Sequence, residues 1–536
     1  MTAVPREGSD GESALPPARR PRAAAGLVAL GILASRVFGL VRQMLTAQFL
    51  GASAAADAFG AAFKIPNILQ NLFGEGALSA SFIPVYSRLL AEGKEEEAGR
   101  VAGAIAALLM LVVAVVVLVG VVATPALIPL IAQGFDPEKK RLTIQLTRIL
   151  FPGAGIFVIS AWCLGILNSH RRFLLSYSAP VLWNVAMIVT LLWFGKSQQP
   201  VDLASTLAWA SVVGALLQFL IQVPTTLRLA RHLRLSLDTR SEHVRTVSRN
   251  FGPAFVGRGV VQISGYIDIW LASFLPDGMV ATLGYAQTVY VLPVSLFGMA
   301  VSAAELPEMS RAVGDHDAVS TYLRGRLGAG LRNIAFFVVP SAAAFVVFGD
   351  VIAALLFQRG RFTAADSHYA WGILAGSAVG LLATTMGRLY SSTYYALHDT
   401  KTPLRFAALR VVLTTALGYL FALPLPRLLG IDPHWGAAGL TASAGIAGWI
   451  EFLLLRSRMN RRIGVTGLSP NFVASLWLSA AIGAAAGWGM RTVSAHQTPF
   501  VSRVLVLATY GAIYLLMTVA LRVPEAANMI ARVRRR

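Results

Sequence analysis

Along most of this chain, polar residues are interruptions in an apolar background. Apolar runs occupy about 24–50, 54–86, 101–132, 144–167, 174–195 and 202–227, then 249–275, 280–308, 328–357, 367–397, 404–424 and 434–456, and finally 471–490 and 501–521. Each is long enough to cross a hydrocarbon layer about 30 Å thick, which takes roughly 20 helical residues. A segment crossing lipid must satisfy its own backbone, so runs of this length predict helices. The pattern predicts an all-α polytopic membrane protein of about 14 transmembrane helices. An even number of crossings puts both chain ends on one side.

The same pattern carries an internal repeat. Ser79-Ala80, Pro84 and Ser87-Arg88 recur 223 residues later as Ser302-Ala303, Pro307 and Ser310-Arg311, and Pro180 and Pro403 keep that offset. Each recurrence lies six predicted spans further along, which divides the chain into two pseudo-symmetric six-helix lobes, 23–247 and 248–458, followed by a pair of helices over 468–522. Residues 1–22 and 523–536 read as cytoplasmic tails, the first disordered and the second basic. Such duplications are typical of alternating-access transporters, whose sites lie between the repeats near the midplane.

Composition agrees. Of 536 residues, 56% are hydrophobic and only 13% charged, with a mean hydropathy of +0.63. Soluble domains carry about 25% charged residues, so a soluble enzyme, a nucleic-acid module and a disulfide scaffold are excluded. The single Cys163 allows no disulfide framework, and the Pro-, Arg- and Ser-rich start lacks the apolar core of a signal peptide. Lys and Arg number 46 against 26 Asp and Glu, a net charge of +20. Roughly 30 basic residues fall on one face and roughly 9 on the other, so the first face, with both termini, is cytoplasmic. The run Lys139-Lys140-Arg141 breaks the trend by falling in an outer loop.

A charge near the bilayer centre costs at least a few kcal/mol, so each one needs a partner, water or a function. In the first span Ser35 and Arg42 lie on one line of a helix and Arg36 and Gln43 on the next, with Gly39 between them. Two guanidiniums about 9 Å apart along one face suit a bulky anion such as a pyrophosphate, through forked donors that lysine lacks; the alternative is that both snorkel to an interface or pair with acids. In the second span Asp57, Lys64 and Asn71 form a polar stripe with Asn67 beside it, and Pro66 is expected to kink the helix. That stripe either lines a cavity or contains an internal Asp57–Lys64 or Asp57–Arg pair. The seventh span carries Arg258 and Asp268, and the eighth Glu305. Asp268 is suited to coordinating a cation or balancing an arginine. Glu75, Arg148, Arg388 and Glu451 fall near span ends and read as interfacial. The chain has no Walker loop, no HExxH and no Cys/His metal spacing, so it reads as a transporter without catalytic residues or a bound metal, not as an enzyme.

Taken together, Ser35-Arg36-Val-Phe-Gly39-Leu-Val-Arg42, Asp57-Ala-Phe, Phe63-Lys64-Ile-Pro66-Asn67 and Glu75-Gly76-Ala77 resemble the N-terminal signature of the MurJ/MviN lipid II flippases. Further matching segments include Gly165-Ile-Leu-Asn168-Ser, Gly360-Arg361-Phe362-Thr363 and Tyr395-Ala-Leu-His-Asp399-Thr-Lys-Thr-Pro403, so the resemblance covers nearly the whole chain after the tail. It implies a fold of the MOP superfamily, in which two added helices form a groove for a polyprenyl tail. It also implies a multi-pass protein of the bacterial inner membrane that moves undecaprenyl-pyrophosphate-linked lipid II to the outer leaflet for cell wall synthesis. Arg36 and Arg42 match family arginines of the central cavity, and Asp57 matches a cavity acid.

The chain departs from the family where charge is usual: Gln43, Gln70, Asn71, Thr288 and Val291 are neutral here. The substrate-binding set expected from the residues and the resemblance is therefore Arg36, Arg42, Asp57, Lys64, Asn67 and Arg258, the last replacing the arginine absent at Thr288. The positions expected to hold sodium in spans 11 and 12, among them Thr414, Thr415, Tyr419, Thr441 and Ser443, are also neutral, which leaves Asp268 as the ion-coupling candidate. No cofactor is expected beyond a monovalent cation such as Na+, with membrane potential as the driving force. The expected partners are lipid II and the membrane, not nucleic acid; the chain is expected to be a monomer, alone or with the cell-wall synthesis machinery. Export of another polyprenyl-linked glycan, drug antiport, or a non-transporting scaffold of that machinery are the competing readings. An arginine-rich cavity disfavours cationic drugs.

Overall fold

The computed structural model describes residues 21–73, 75–312, 315–527 and 529, and the side chains of 21–30, 32, 65, 75, 76, 253, 254, 256–264 and 316 lie outside that description. Among the described residues there is no strand. The first half runs α1 (Pro21–Leu50), α2 (Ala54–Phe73), α3 (Glu75–Ala91), α4 (Glu95–Ile131), α5 (Pro137–Ser169), α6 (Phe173–Phe194) and α7 (Pro200–Leu229). The second runs α8 (Glu242–Ala272), α9 (Met279–Pro293), α10 (Ala300–Ser310), α11 (His316–Leu356), α12 (Ala364–Ala396), α13 (Lys401–Ala422), the short α14 (Pro424–Leu428) and α15 (Gly436–Ile463). The chain ends in α16 (Pro470–Val493) and α17 (Pro499–Ala520). A π-helical turn, Val294–Met299, joins α9 to α10.

With α2–α3, α9–α10 and α13–α14 each taken as one rod, the helices form fourteen rods, as the hydropathy pattern requires. Eleven are long and apolar enough to cross a membrane. The other three, α1, α2–α3 and α8, carry Arg36 and Arg42, Asp57 and Lys64, and Arg258 and Asp268.

Several helices outrun their predicted spans, because hydropathy marks only the lipid-facing length whereas capping decides where a helix begins. The span at 144–167 belongs to a helix that starts at Pro137, where the Asp136 carboxylate accepts the N–H groups of Glu138 and Lys139. These contacts, that from Lys139 first, hold the Asp136 carboxyl below the usual carboxylate range. Lys139-Lys140-Arg141 is accordingly not a loop but the first turn of α5. The single run at 54–86 is two helices, and α2 continues through Pro66 to Phe73.

The repeat is visible in the packing. In the first half α4 packs on α5, α5 and α6 on α7, and α1 on α6; at the matching places of the second, α11 packs on α12, α12 and α13 on α15, and α8 on α13. Ser79 to Arg88 lie in α3 and Ser302 to Ser310 in α10, the later part of the second rod of each half. At the α12–α15 crossing, a Cβ on Gly380 would come within 2.3 Å of the Gly445 Cα, so the two backbones meet only because both residues are glycine. The α16–α17 pair packs on α11. Pro340 has no N–H for the carbonyl of Phe336, and the Tyr514 hydroxyl donates to that carbonyl at 2.6 Å. The Tyr510 hydroxyl donates to the carbonyl of Pro340 itself, also at 2.6 Å.

Two features join the halves. At one end α1 and α2 meet α9, while α8 packs on α3 and α4 as well as on α13 and α15.

Candidate functional site

Between the halves lies a cavity of about 880 Å³, walled by α1, α2, α8, α9, α12, α13 and α15. Among the described residues its charged lining consists of Arg36, Arg42, Lys64 and Arg410 against one carboxylate, Asp268. Asn67, Gln43 and Thr288 also line it. The 3.6-residue period of α1 brings Arg36, Gly39, Arg42 and Gln43 to one face, and that of α2 adds Gly60, Lys64 and Asn67. Four of the expected binding residues, Arg36, Arg42, Lys64 and Asn67, are thus brought together, with Asp268 facing them. The backbone of α8 passes through Arg258, but its side chain lies outside the described residues.

The cations are sparsely paired. Arg36 and Lys64 have no hydrogen bond or ion pair among the described residues. Arg42 stacks its guanidinium 4.5 Å from the centroid of the Trp183 ring and donates weakly to the Met187 sulfur at 3.6 Å. Its Nε is buried without a partner. Asp268 likewise has no hydrogen bond or ion pair among the described residues, and the charges acting on it are those of Lys64 and Arg410.

Asp57, expected beside the arginines, stands apart from the cavity. It is 1% exposed and does not pair with Lys64. One carboxylate oxygen accepts the N–H of Gly278 at 2.7 Å, and the other that of Ala281 at 2.8 Å, which caps the start of α9. Lys139 Nζ approaches Asp57 at 3.3 Å and also pairs with Asp277. Gly278 sits at φ +87°, and a Cβ there would meet the carbonyl oxygen of Ala52 at 2.5 Å. Beside this cluster Tyr285 donates to the carbonyl of Gly51 at 3.0 Å, and the N–H of Arg361 to that of Gln48 at 2.8 Å. Asp57 is therefore part of a plug that ties α1, α2 and α5 to α9 and closes one end of the cavity. It is not a lining acid, because its oxygens are already taken.

Sequence reasoning missed two residues. Lys139 looked like a misplaced loop cation; its partner Asp57 is 82 residues away, and no local spacing reveals the pair. Arg410 lines the cavity and pairs with Glu451 at 3.1 Å, so Glu451 is not simply interfacial. Among the described residues no three His, Cys, Asp or Glu side chains are arranged to hold a metal. Chemically, the site offers guanidinium forks and an ammonium in a partly apolar enclosure, a setting suited to an anion of more than one negative charge.

The chain is similar to known proteins in sequence and in fold. The family model described as lipid II flippase MurJ matches residues 46–509. The chain is 32% identical over 447 residues to the lipid II flippase MurJ of Burkholderia cenocepacia, covering 82% of this chain and 84% of that protein. It is 29% identical over 526 residues to the probable lipid II flippase MurJ of Vibrio cholerae, covering 94% and 97%. Among solved structures, a lipid II flippase MurJ in an inward closed conformation superposes with a TM-score of 0.76 at 23% identity, over 92% of this chain and 99% of that one. A multidrug resistance MATE family transporter of the MOP superfamily, in an inward-facing conformation, superposes with a TM-score of 0.65 at 17% identity, over 82% and 98%.

Proposed function

This chain belongs to the lipid II flippase MurJ family, and on that premise we propose that it carries lipid II from the inner to the outer leaflet of the bacterial cytoplasmic membrane by alternating access. The observation that carries the reading is the cavity: four cations and one carboxylate line it between the two halves, and the Asp57 plug closes one end. With the basic loops and both termini in the cytoplasm, the Asp57 plug lies on the outer side and the cavity receives substrate from within. Arg36, Arg42, Lys64 and Asn67 hold the diphosphate and the first sugar, and the paired helices α16 and α17 guide the polyprenyl tail. The protein works as a monomer, alone or beside the cell-wall synthesis machinery, and breaks no covalent bond.

Membrane potential supplies the drive. With the cytoplasm negative, each negative charge moved outward gains about 2.3 kcal/mol per 100 mV, and the unloaded, cation-rich cavity returns with the same field. Asp268 is the residue at which a monovalent cation such as Na+ would couple if one is used. The gathering of four cations around one carboxylate favours transport over a scaffold role, which gives no reason to place unbalanced charge inside a membrane protein. The test is replacement of an essential lipid II flippase by this chain in cells: sustained growth is expected, and lysis on depletion of the resident protein would refute the assignment.

A further inference from the structure

In the unloaded cavity the cations of α1 and α2 all belong to the first half, so a ligand held by them alone would give the halves no reason to close on it. The second half does contribute a cation. Arg410 is nine residues into α13, about 14 Å from its start, where a guanidinium without a role would be costly. It reaches the cavity, and its one described partner, Glu451 of α15, takes up Nη1 at 3.1 Å. That leaves the other guanidinium donors without a described partner. The charge of Glu451 also acts on Arg388 of α12, so one carboxylate serves two arginines. Arg410 and Lys64 act on the same unpaired carboxylate, Asp268. Cations of both halves thus line the same cavity as Asp268.

Resting on the diphosphate reading above, we propose that Arg410 is the anion-binding residue of the second half: Glu451 holds it in place, and with Lys64 it grips the diphosphate from the side opposite Arg36 and Arg42. Asp268 supplies the counter-charge when no anion is bound. The ligand therefore replaces an internal carboxylate between the halves, and its arrival draws α13 toward α2.

The experiment titrates the purified full-length protein with inorganic pyrophosphate, read by tryptophan fluorescence, since Trp183 contacts Arg42. Arg410→Gln should weaken binding about ten- to hundredfold, the loss typical of a charged hydrogen-bonding partner. Arg410→Lys, which keeps the charge without the fork, should fall between. Glu451→Gln should bind at least as tightly as the native chain, because the amide oxygen still accepts from Arg410 while the competing negative charge is gone. If Arg410 served only its pair with Glu451, Arg410→Gln and Glu451→Gln would weaken binding alike, and that result overturns the proposal. Native binding by Arg410→Gln alongside defective binding by Arg36→Ala would overturn it too, while leaving the diphosphate reading intact. Equal binding by Arg36→Ala and the native chain would overturn the diphosphate reading itself.

Discussion

Arg42 is held but not satisfied. The face of Trp183 and a methionine sulfur are weak partners for a guanidinium, and its Nε has none. A donor buried in that state costs stability until an acceptor arrives, so the residue is set up to gain from an anion. Arg42→Ala and Arg36→Ala should each abolish complementation with protein levels unchanged, corresponding to about 1.5–3 kcal/mol of lost anion binding. Arg42→Lys should fail as well, because an ammonium keeps the charge but loses both the fork and the flat stack on Trp183. Growth assays with immunoblots check this, and normal growth of Arg42→Lys would mean that charge alone is what the site uses.

Among the helices, the decisive junction is the one that α5, α2 and α9 make at Lys139. Removing one member of a buried ion pair strands the other at a cost of about 3–5 kcal/mol. Lys139→Met should therefore destabilise the closed plug and favour outward opening. The buried position 281 reports it: with Cys163 replaced by Ala, an Ala281→Cys probe should react several-fold faster with an impermeant thiol reagent from outside once Lys139 is Met. An unchanged rate would mean the plug does not depend on that pair. At the other edge of the bundle, Tyr514→Phe leaves the Phe336 carbonyl without its donor, and should lower the thermal midpoint of the purified protein by the equivalent of about 1–3 kcal/mol. Neither junction was legible in the sequence, and the reason is the same for both. Helical periodicity tells which residues share a face of their own helix, but not which distant helix that face meets. It placed Arg36, Arg42 and Lys64 on polar faces that the cavity uses, yet could not pair Asp57 with Lys139. Arg410 escaped because the apolar run around it does not show which face meets α15, where its partner Glu451 lies 41 residues away.

For the molecule as a whole, length and hydropathy carried most of the architecture, since lipid thickness fixes how long a crossing helix must be. Fourteen rods follow from fourteen runs, and the offset of 223 residues matches elements that occupy equivalent places in the two halves. Helix ends and the α2–α3 division were not readable, because capping and local breaks are indifferent to hydropathy. Orientation rests on the distribution of arginine. Single cysteines at the exposed positions 277, 359 and 361 should react with an impermeant thiol reagent from outside, and those at 228–249 should not. All of this converges on one act, the appearance of lipid II on the outer surface, and that can be measured directly. In cells whose only flippase is this chain, lipid II should be cleaved by an impermeant diphosphate-hydrolysing enzyme added from outside. Cleavage should fall to background when the membrane potential is collapsed or when Arg36 is replaced by Ala. Lipid II that stays protected in cells expressing the native chain, or equal exposure with and without Arg36, would contradict the account.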